Sequence, residues 1–258
     1  MSDLATLRND WETLAREDAL HAILTDETKV GGRWNVAEFM ATGVAEIEMV
    51  MQYLDGLGRI PDWNGTALDF GCGVGRLTEA LGRHFASCVG VDISECMVEK
   101  AASMNQMANC QYVANSGANL PFLDETFAFI YSNIVLQHIP RRFAKAYLGE
   151  FVRVLAPGGV LICGVQDSFA APTLSSLAIR IRHILHLRSR ISQCLGIGRG
   201  EMQMHCLPEK VVRSAIEPAR IVDVQFTNTA AKNFNGKLRF LPQALTSGYI
   251  GKQYCVVK

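Results

Sequence analysis

From Thr66 onwards, short apolar runs alternate with segments whose apolar positions recur every three or four residues. The runs at 66–70, 88–93, 110–114, 127–133 and 159–165 have strand length, and the segments near 75–86, 94–107 and 141–155 carry the helical period. Such alternation predicts a mostly parallel sheet, covered by helices on both faces and joined by right-handed crossovers. Upstream, 3–24 and 36–57 read as two helices. Leu4, Leu7, Trp11 and Leu14 form one stripe, and Phe39, Met40, Val44, Ile47, Val50, Met51 and Leu54 form the other. Between them, Gly31-Gly32-Arg33-Trp34-Asn35 breaks the pattern and predicts a loop.

The alternation stops after Gln166. Residues 168–206 are rich in Leu, Ile, Arg and His and lack a strand period. It resumes with a short helix opening at Pro208-Glu209 and strands near 220–229 and 248–257. A stretch of about forty residues is too long for a plain connection, which makes it a lid or a binding element. One domain with four parts is therefore expected: an N-terminal helical cap (1–60), a core (61–167), the insertion (168–206), and a C-terminal helix with a β-hairpin (207–258).

Composition narrows the class. The chain has 258 residues, 49% apolar and 19% charged, as expected of an ordered globular protein. Lys+Arg and Asp+Glu balance at 25 each, so no global charge points to nucleic acid. The start, MSDLATLRNDWETLARED, is unlike a secretory signal. No apolar run approaches the roughly 18–20 residues that span a bilayer. Eight cysteines are scattered without CxxC spacing, several in apolar segments, so a reduced, cytoplasmic protein is expected.

Candidate chemistry concentrates after the first strand. ALDFGCGVGRLT places Gly71, Gly73 and Gly75 in a strand-to-helix turn, where bare backbone and free helix amides can meet a ligand. The next strand ends at Asp92, about twenty residues on, positioned to accept from a ribose diol. A dinucleotide turn needs G-x-G-x-x-G, but its third glycine is replaced here by Arg76. NAD(P) is thereby disfavoured.

The core resembles the class I S-adenosylmethionine-dependent methyltransferases, particularly the small-molecule "methyltransferase type 11" group. LDFGCGVGRLTEAL is similar to their first motif, and VGVDISECMVEKA to the acidic second strand with its helix. YVANSGANLPFLDETFAFIYSNIVLQHI resembles the third and fourth strands, and FVRVLAPGGVLI the turn into the fifth. The resemblance covers roughly residues 60–166. It implies a Rossmann-like, seven-stranded, mostly parallel α/β sheet with helices on both faces and an antiparallel last strand. N-terminal helices and a helical lid would be added to it.

The resemblance also implies roles by position. Asp69 would organise the methionyl amino end while the Gly71 and Gly73 backbone passes the ligand. Asp92 would bind the ribose, with Ile93 and Met97 against adenine. Ser116 stands where many relatives have an acid for the adenine amino group, so the Gly117 backbone would share that task. Asn133 and Ile134 would face the methionine part, followed by Gln137 and His138 near the methyl. Arg33 could approach the donor carboxylate if the Arg33-Trp34 loop folds over it.

A hydroxyl or amine acceptor benefits from a base. His138 is the first candidate, with a positioning role as the alternative; Asp167 and His205 are the second and third, and orientation alone could suffice. No metal is expected: His183, His186, His205 and Cys206 form no compact ligand set. Leu174, Leu177, Ala178, Ile181, Ile184 and Leu185 follow helical spacing beside Arg180, Arg182, Arg188 and Arg190. A helix over 174–190 could close the pocket, meet an apolar or anionic acceptor, or touch a membrane. Gly196, Gly198 and Gly200 would form its hinge. The expected function is methyl transfer from S-adenosylmethionine to an oxygen or nitrogen of a small molecule. The alternatives are an NAD(P) oxidoreductase and a non-catalytic donor-binding module.

Overall fold

The computed structural model describes residues 4–170, 200, 202–231 and 234–258. Two helices come first, α1 (Leu4–Ile23) and α2 (Val36–Gly56). Then β1 (Thr66–Phe70), α3 (Arg76–Gly82), β2 (Ser87–Asp92), α4 (Glu95–Met104) and β3 (Cys110–Ala114) alternate as the pattern predicts. They are followed by β4 (Phe127–Ser132), α5 (Arg141–Val154) and β5 (Leu155–Ala170). After the undescribed stretch come α6 (Glu209–Ala215), β6 (Arg220–Thr227), β7 (Phe240–Leu241) and β8 (Gly248–Val257).

The strands form one sheet in the order β3-β2-β1-β4-β5-β8-β6-β7. The first five are parallel; β8 runs antiparallel to both β5 and β6, and β7 antiparallel to β6. Two details correct the sequence reading. The sheet has eight strands among the described residues rather than seven, because Phe240–Leu241 adds a two-residue edge, too short to carry an alternation. Strand β5 also continues through Ser168, Phe169 and Ala170, which pair with Ile250, Tyr249 and Gly248. Those residues read as the start of the insertion because a backbone ladder, not an apolar period, holds them. The helix expected at 174–190, with His183, His186, Gly196 and Gly198, lies outside the described residues.

The central strands are buried on both faces, which is why β1 and β4 read as near-continuous apolar runs. On one face, α5 turns Ala144, Tyr147, Leu148 and Phe151 inwards at helical spacing, with Tyr147 and Phe151 against Phe70. On the other, α2 packs Ile47, Val50 and Leu54 over Phe129, Tyr131 and Cys255. Asn35 caps α2 by accepting from the Glu38 amide at 3.1 Å. Helix α1 bends at Asp18, whose carboxylate accepts the Gly31 and Gly32 amides at 3.0 and 2.8 Å and so ties the following loop back. No helix among the described residues is long and apolar enough to cross a membrane. The strand order reverses between β1 and β4, the place where a parallel α/β sheet opens a crevice at its carboxyl ends.

Candidate active site

The crevice holds a cavity of about 880 Å³, mouth included. Its floor is the glycine turn. Gly71, Gly73 and Gly75 all have positive φ (79°, 53° and 88°), the left-handed region in which a side chain costs energy. A Cβ would also collide with Val135 at Gly71 and with Ile23 at Gly73. The turn is pinned to the end of β2: the Gly71 and Cys72 amides donate to Val91 O at 2.7 and 3.0 Å, and the Gly73 amide donates to Asp92 Oδ2 at 2.9 Å. Asp92 Oδ1 accepts from the Ser94 amide at 2.9 Å. Burial pushes the Asp92 carboxyl above its ordinary pKa, against these backbone donors.

Gly71, Gly73, Asp92, Ile93, Met97, Asn133, Ile134 and His138 all line this one cavity. Ile134, two residues past the end of β4, has a φ of 54°, a strained conformation for a β-branched residue. The His138 Nδ1 lies 2.8 Å from the Gln203 carbonyl oxygen. A carbonyl only accepts, so Nδ1 carries the proton and Nε2 keeps its lone pair. Burial lowers the His138 pKa to about 4, so the ring is neutral at pH 7. The Trp11 ring meets it edge-on, 5.5 Å between centroids.

The other expected residues lie elsewhere. Asp69 is enclosed behind the turn, where its Oδ2 accepts from the Thr78 hydroxyl at 2.6 Å. Burial pushes its carboxyl up to about 7, against the opposing Thr78 bond and Arg76 charge. Arg33 is exposed on its loop, whereas Trp34 is buried and donates to Leu24 O. Ser116 and Gly117 are also exposed; Gly117 O accepts from the Tyr147 hydroxyl at 2.6 Å. Gln137 Oε1 accepts from Gln166 Nε2 at 3.3 Å, away from the cavity lining. Asp167 Oδ1 takes the Glu209 amide at 2.8 Å and Lys252 Nζ at 3.2 Å, which makes it a cap for α6. The His205 amide donates to Gln137 O at 2.7 Å, which holds it beside the loop after β4.

Several lining residues escaped the sequence reading. Asn115 lines the cavity one position before Ser116, with its amide on Asp92 O. From α1 come Leu7, Trp11, Ala22 and Ile23, and from α5 Tyr147. The apolar stripe of α1 is the available signal, since a helix buried on one side must cover something.

Residues 68–163 match the family described as "Methyltransferase domain". This part of the chain is thus similar to methyltransferase domains. Over 100 residues it is 37% identical to a 24-methylenesterol C-methyltransferase 2 of Oryza sativa subsp. japonica, covering 37% of this chain and 27% of that protein. Over 101 residues it is 37% identical to a demethylmenaquinone methyltransferase of Staphylococcus saprophyticus, covering 38% of this chain and 42% of the relative. The similarity thus spans less than half of either curated relative. Among solved structures, the magnesium protoporphyrin IX methyltransferase of Synechocystis PCC 6803 with bound SAH superposes with a TM-score of 0.60 at 18% identity, over 99% of this chain and 100% of that one. The chain therefore shares that fold.

Proposed function

We propose that the chain binds S-adenosylmethionine and transfers its methyl group to an oxygen or nitrogen of a small-molecule acceptor. One observation carries this reading: the left-handed glycine turn, the Asp92 carboxylate and Asn133 meet at a single cavity. The residues present fit the donor. Asp92 would take the ribose hydroxyls, Ile93 and Met97 would flank the adenine, and Asn133 with Ile134 would face the methionyl end. Asp69 would brace the turn from behind. Gly117 and Gln137 would act through Tyr147 and Gln166, which they bond.

When bound, the donor supplies an electrophilic methyl group on a sulfonium. The chain's own contribution is to orient the nucleophile and exclude water. His138 presents a neutral Nε2, but an imidazole with a pKa of about 4 is a weak base at neutral pH. Its Nε2 lies 3.5 Å from Gln137 Nε2 and its Nδ1 bonds the Gln203 carbonyl, so its better use is to hold the loop after β4 against the cavity. The acceptors named for the relatives are a sterol, a demethylmenaquinone and a magnesium porphyrin, which supports a small molecule here. A nicotinamide dinucleotide fits less well, because Arg76 occupies the third fingerprint position and is buried against Glu46.

Calorimetry with S-adenosylmethionine, S-adenosylhomocysteine and NAD tests the proposal. The first two are expected to bind and NAD is not; binding of NAD alone would overturn it.

A further inference from the structure

One buried carboxylate stands outside the methyltransferase motifs and yet governs a residue of the cavity. Glu46, on α2, is 1% exposed. Its Oε2 pairs with Arg76 Nη1 at 2.9 Å. Its Oε1 accepts from the Tyr131 hydroxyl at 2.8 Å and from Asn133 Nδ2 at 2.7 Å. Gly43, one turn earlier, has no room for a Cβ against the Arg76 backbone, so α2 sits directly on the start of α3.

A carboxylate can only accept, so it fixes which end of the Asn133 amide faces it. The amino end is held by Glu46, and Oδ1 is turned to the opposite side. There it lies over Gly164, where a Cβ would stand 2.5 Å away, and it accepts no hydrogen bond among the described residues. Asn133 lines the donor cavity. We propose that Glu46 is a positioning residue that locks the Asn133 amide so that Oδ1 receives the methionyl ammonium of the donor. This rests on the donor reading above. Arg76 completes the device: its positive charge demands an oxygen of residue 46 on its own side.

Glu46→Gln gives the inference its sharpest test. The charge of Arg76 draws the glutamine oxygen, which leaves the amino group facing Asn133 and forces that amide to invert. Asn133 would then present Nδ2 to a cation. S-adenosylhomocysteine carries the ammonium, whereas 5′-methylthioadenosine keeps the nucleoside and thioether without it. Calorimetry is expected to find S-adenosylhomocysteine weakened about tenfold or more by Glu46→Gln, with 5′-methylthioadenosine held within about twofold. The double variant Glu46→Gln/Asn133→Asp restores an acceptor oxygen on both sides, and most of the S-adenosylhomocysteine affinity should return. Tyr131→Phe removes a donor from Glu46 without freeing the Asn133 amide, so the affinity should stay unchanged even if the melting temperature falls.

Parallel loss of both ligands in Glu46→Gln would make Glu46 merely structural and overturn the inference. So would a folded double variant that binds 5′-methylthioadenosine but not S-adenosylhomocysteine. Should Glu46→Gln fail to melt cooperatively, Asn133→Ala decides, because it leaves the Glu46–Arg76 pair in place; retained S-adenosylhomocysteine affinity there overturns the proposal. Wild-type protein binding neither ligand would instead bring down the donor reading, and this inference with it.

Discussion

The sheet buries polar side chains in two places and treats them in opposite ways. Under α2, in the parallel half proposed above to hold the donor, the Glu46 carboxylate has three partners in Arg76, Tyr131 and Asn133. Across β5 and β8, in the antiparallel half, Gln166 and Gln253 are 0% and 1% exposed. Yet Gln166 Oε1 and both amide atoms of Gln253 have no hydrogen-bond partner among the described residues. A paired buried group and an unpaired one respond to substitution with opposite signs. Breaking the first leaves a stranded charge, whereas removing the second relieves a desolvation cost already present. Burial alone therefore does not tell which polar residues stabilise this fold.

The largest effect should follow from breaking the pair. Arg76→Met leaves Glu46 buried without its cation, and loss of one partner of a buried ion pair costs about 3–5 kcal/mol. Replacing both, as Arg76→Met with Glu46→Leu, should recover much of that stability while donor affinity stays lost. Urea unfolding measures both. A single variant costing less than about 1 kcal/mol, the range of an exposed pair, would erase the distinction between the two regions.

Asp69 sharpens the comparison, because it is a buried carboxylate of the donor half that accepts from the neutral Thr78 hydroxyl. Its pKa is raised to about 7, so the folded state holds a proton that the unfolded chain releases near 4. Stability from this group is present at low pH and falls as pH rises through 7. Asp69→Asn removes that slope. Relative to wild type it should gain about 3 kcal/mol between pH 5 and 7.5. His138 has the opposite sign: its pKa is lowered to about 4, so its contribution is present above about 6.5 and lost as pH falls towards 4. Comparing Asp69→Asn with Asp69→Asn/His138→Gln isolates the His138 slope, because the raised Asp92 carboxyl is common to both. Across melts at pH 4.5, 5.5 and 6.5 the stability of the single variant relative to the double should rise with pH. If Asp69→Asn tracked wild type at a constant offset, Asp69 would be ionised throughout.

Much of the donor half was legible in the sequence because its signals are local. The glycine turn, the apolar strands and Asp92 at the end of β2 each occupy a few consecutive residues, and the structure brings the turn and Asp92 to one cavity. Arg76 was read only as a missing glycine. Its partner lies thirty residues upstream, and the signal was there: Glu46 falls in register with Phe39, Gly43, Ile47 and Val50 on the buried face of α2. Asp69 was harder, since β1 is buried on both faces and a two-sided strand does not reveal which way a residue turns. The end of β5 was invisible because its ladder with β8 joins residues some eighty positions apart in sequence.

The smallest effect tests the unpaired half. Gln253→Met keeps the length of the side chain and removes two amide atoms that have no partner among the described residues. Replacing an unsatisfied buried polar group by an apolar one of similar shape should be neutral or stabilising, here by about 1 kcal/mol. Tyr254 on the same strand also buries a hydroxyl without a partner among the described residues, so Tyr254→Phe should move the same way. The two side chains point to opposite faces of the sheet, so each variant tests one face. A loss of more than about 1 kcal/mol in Gln253→Met would mean that ordered water already pairs its amide. The antiparallel half would then be satisfied by solvent where the donor half is satisfied by side chains, and the two regions would differ in the kind of partner they use.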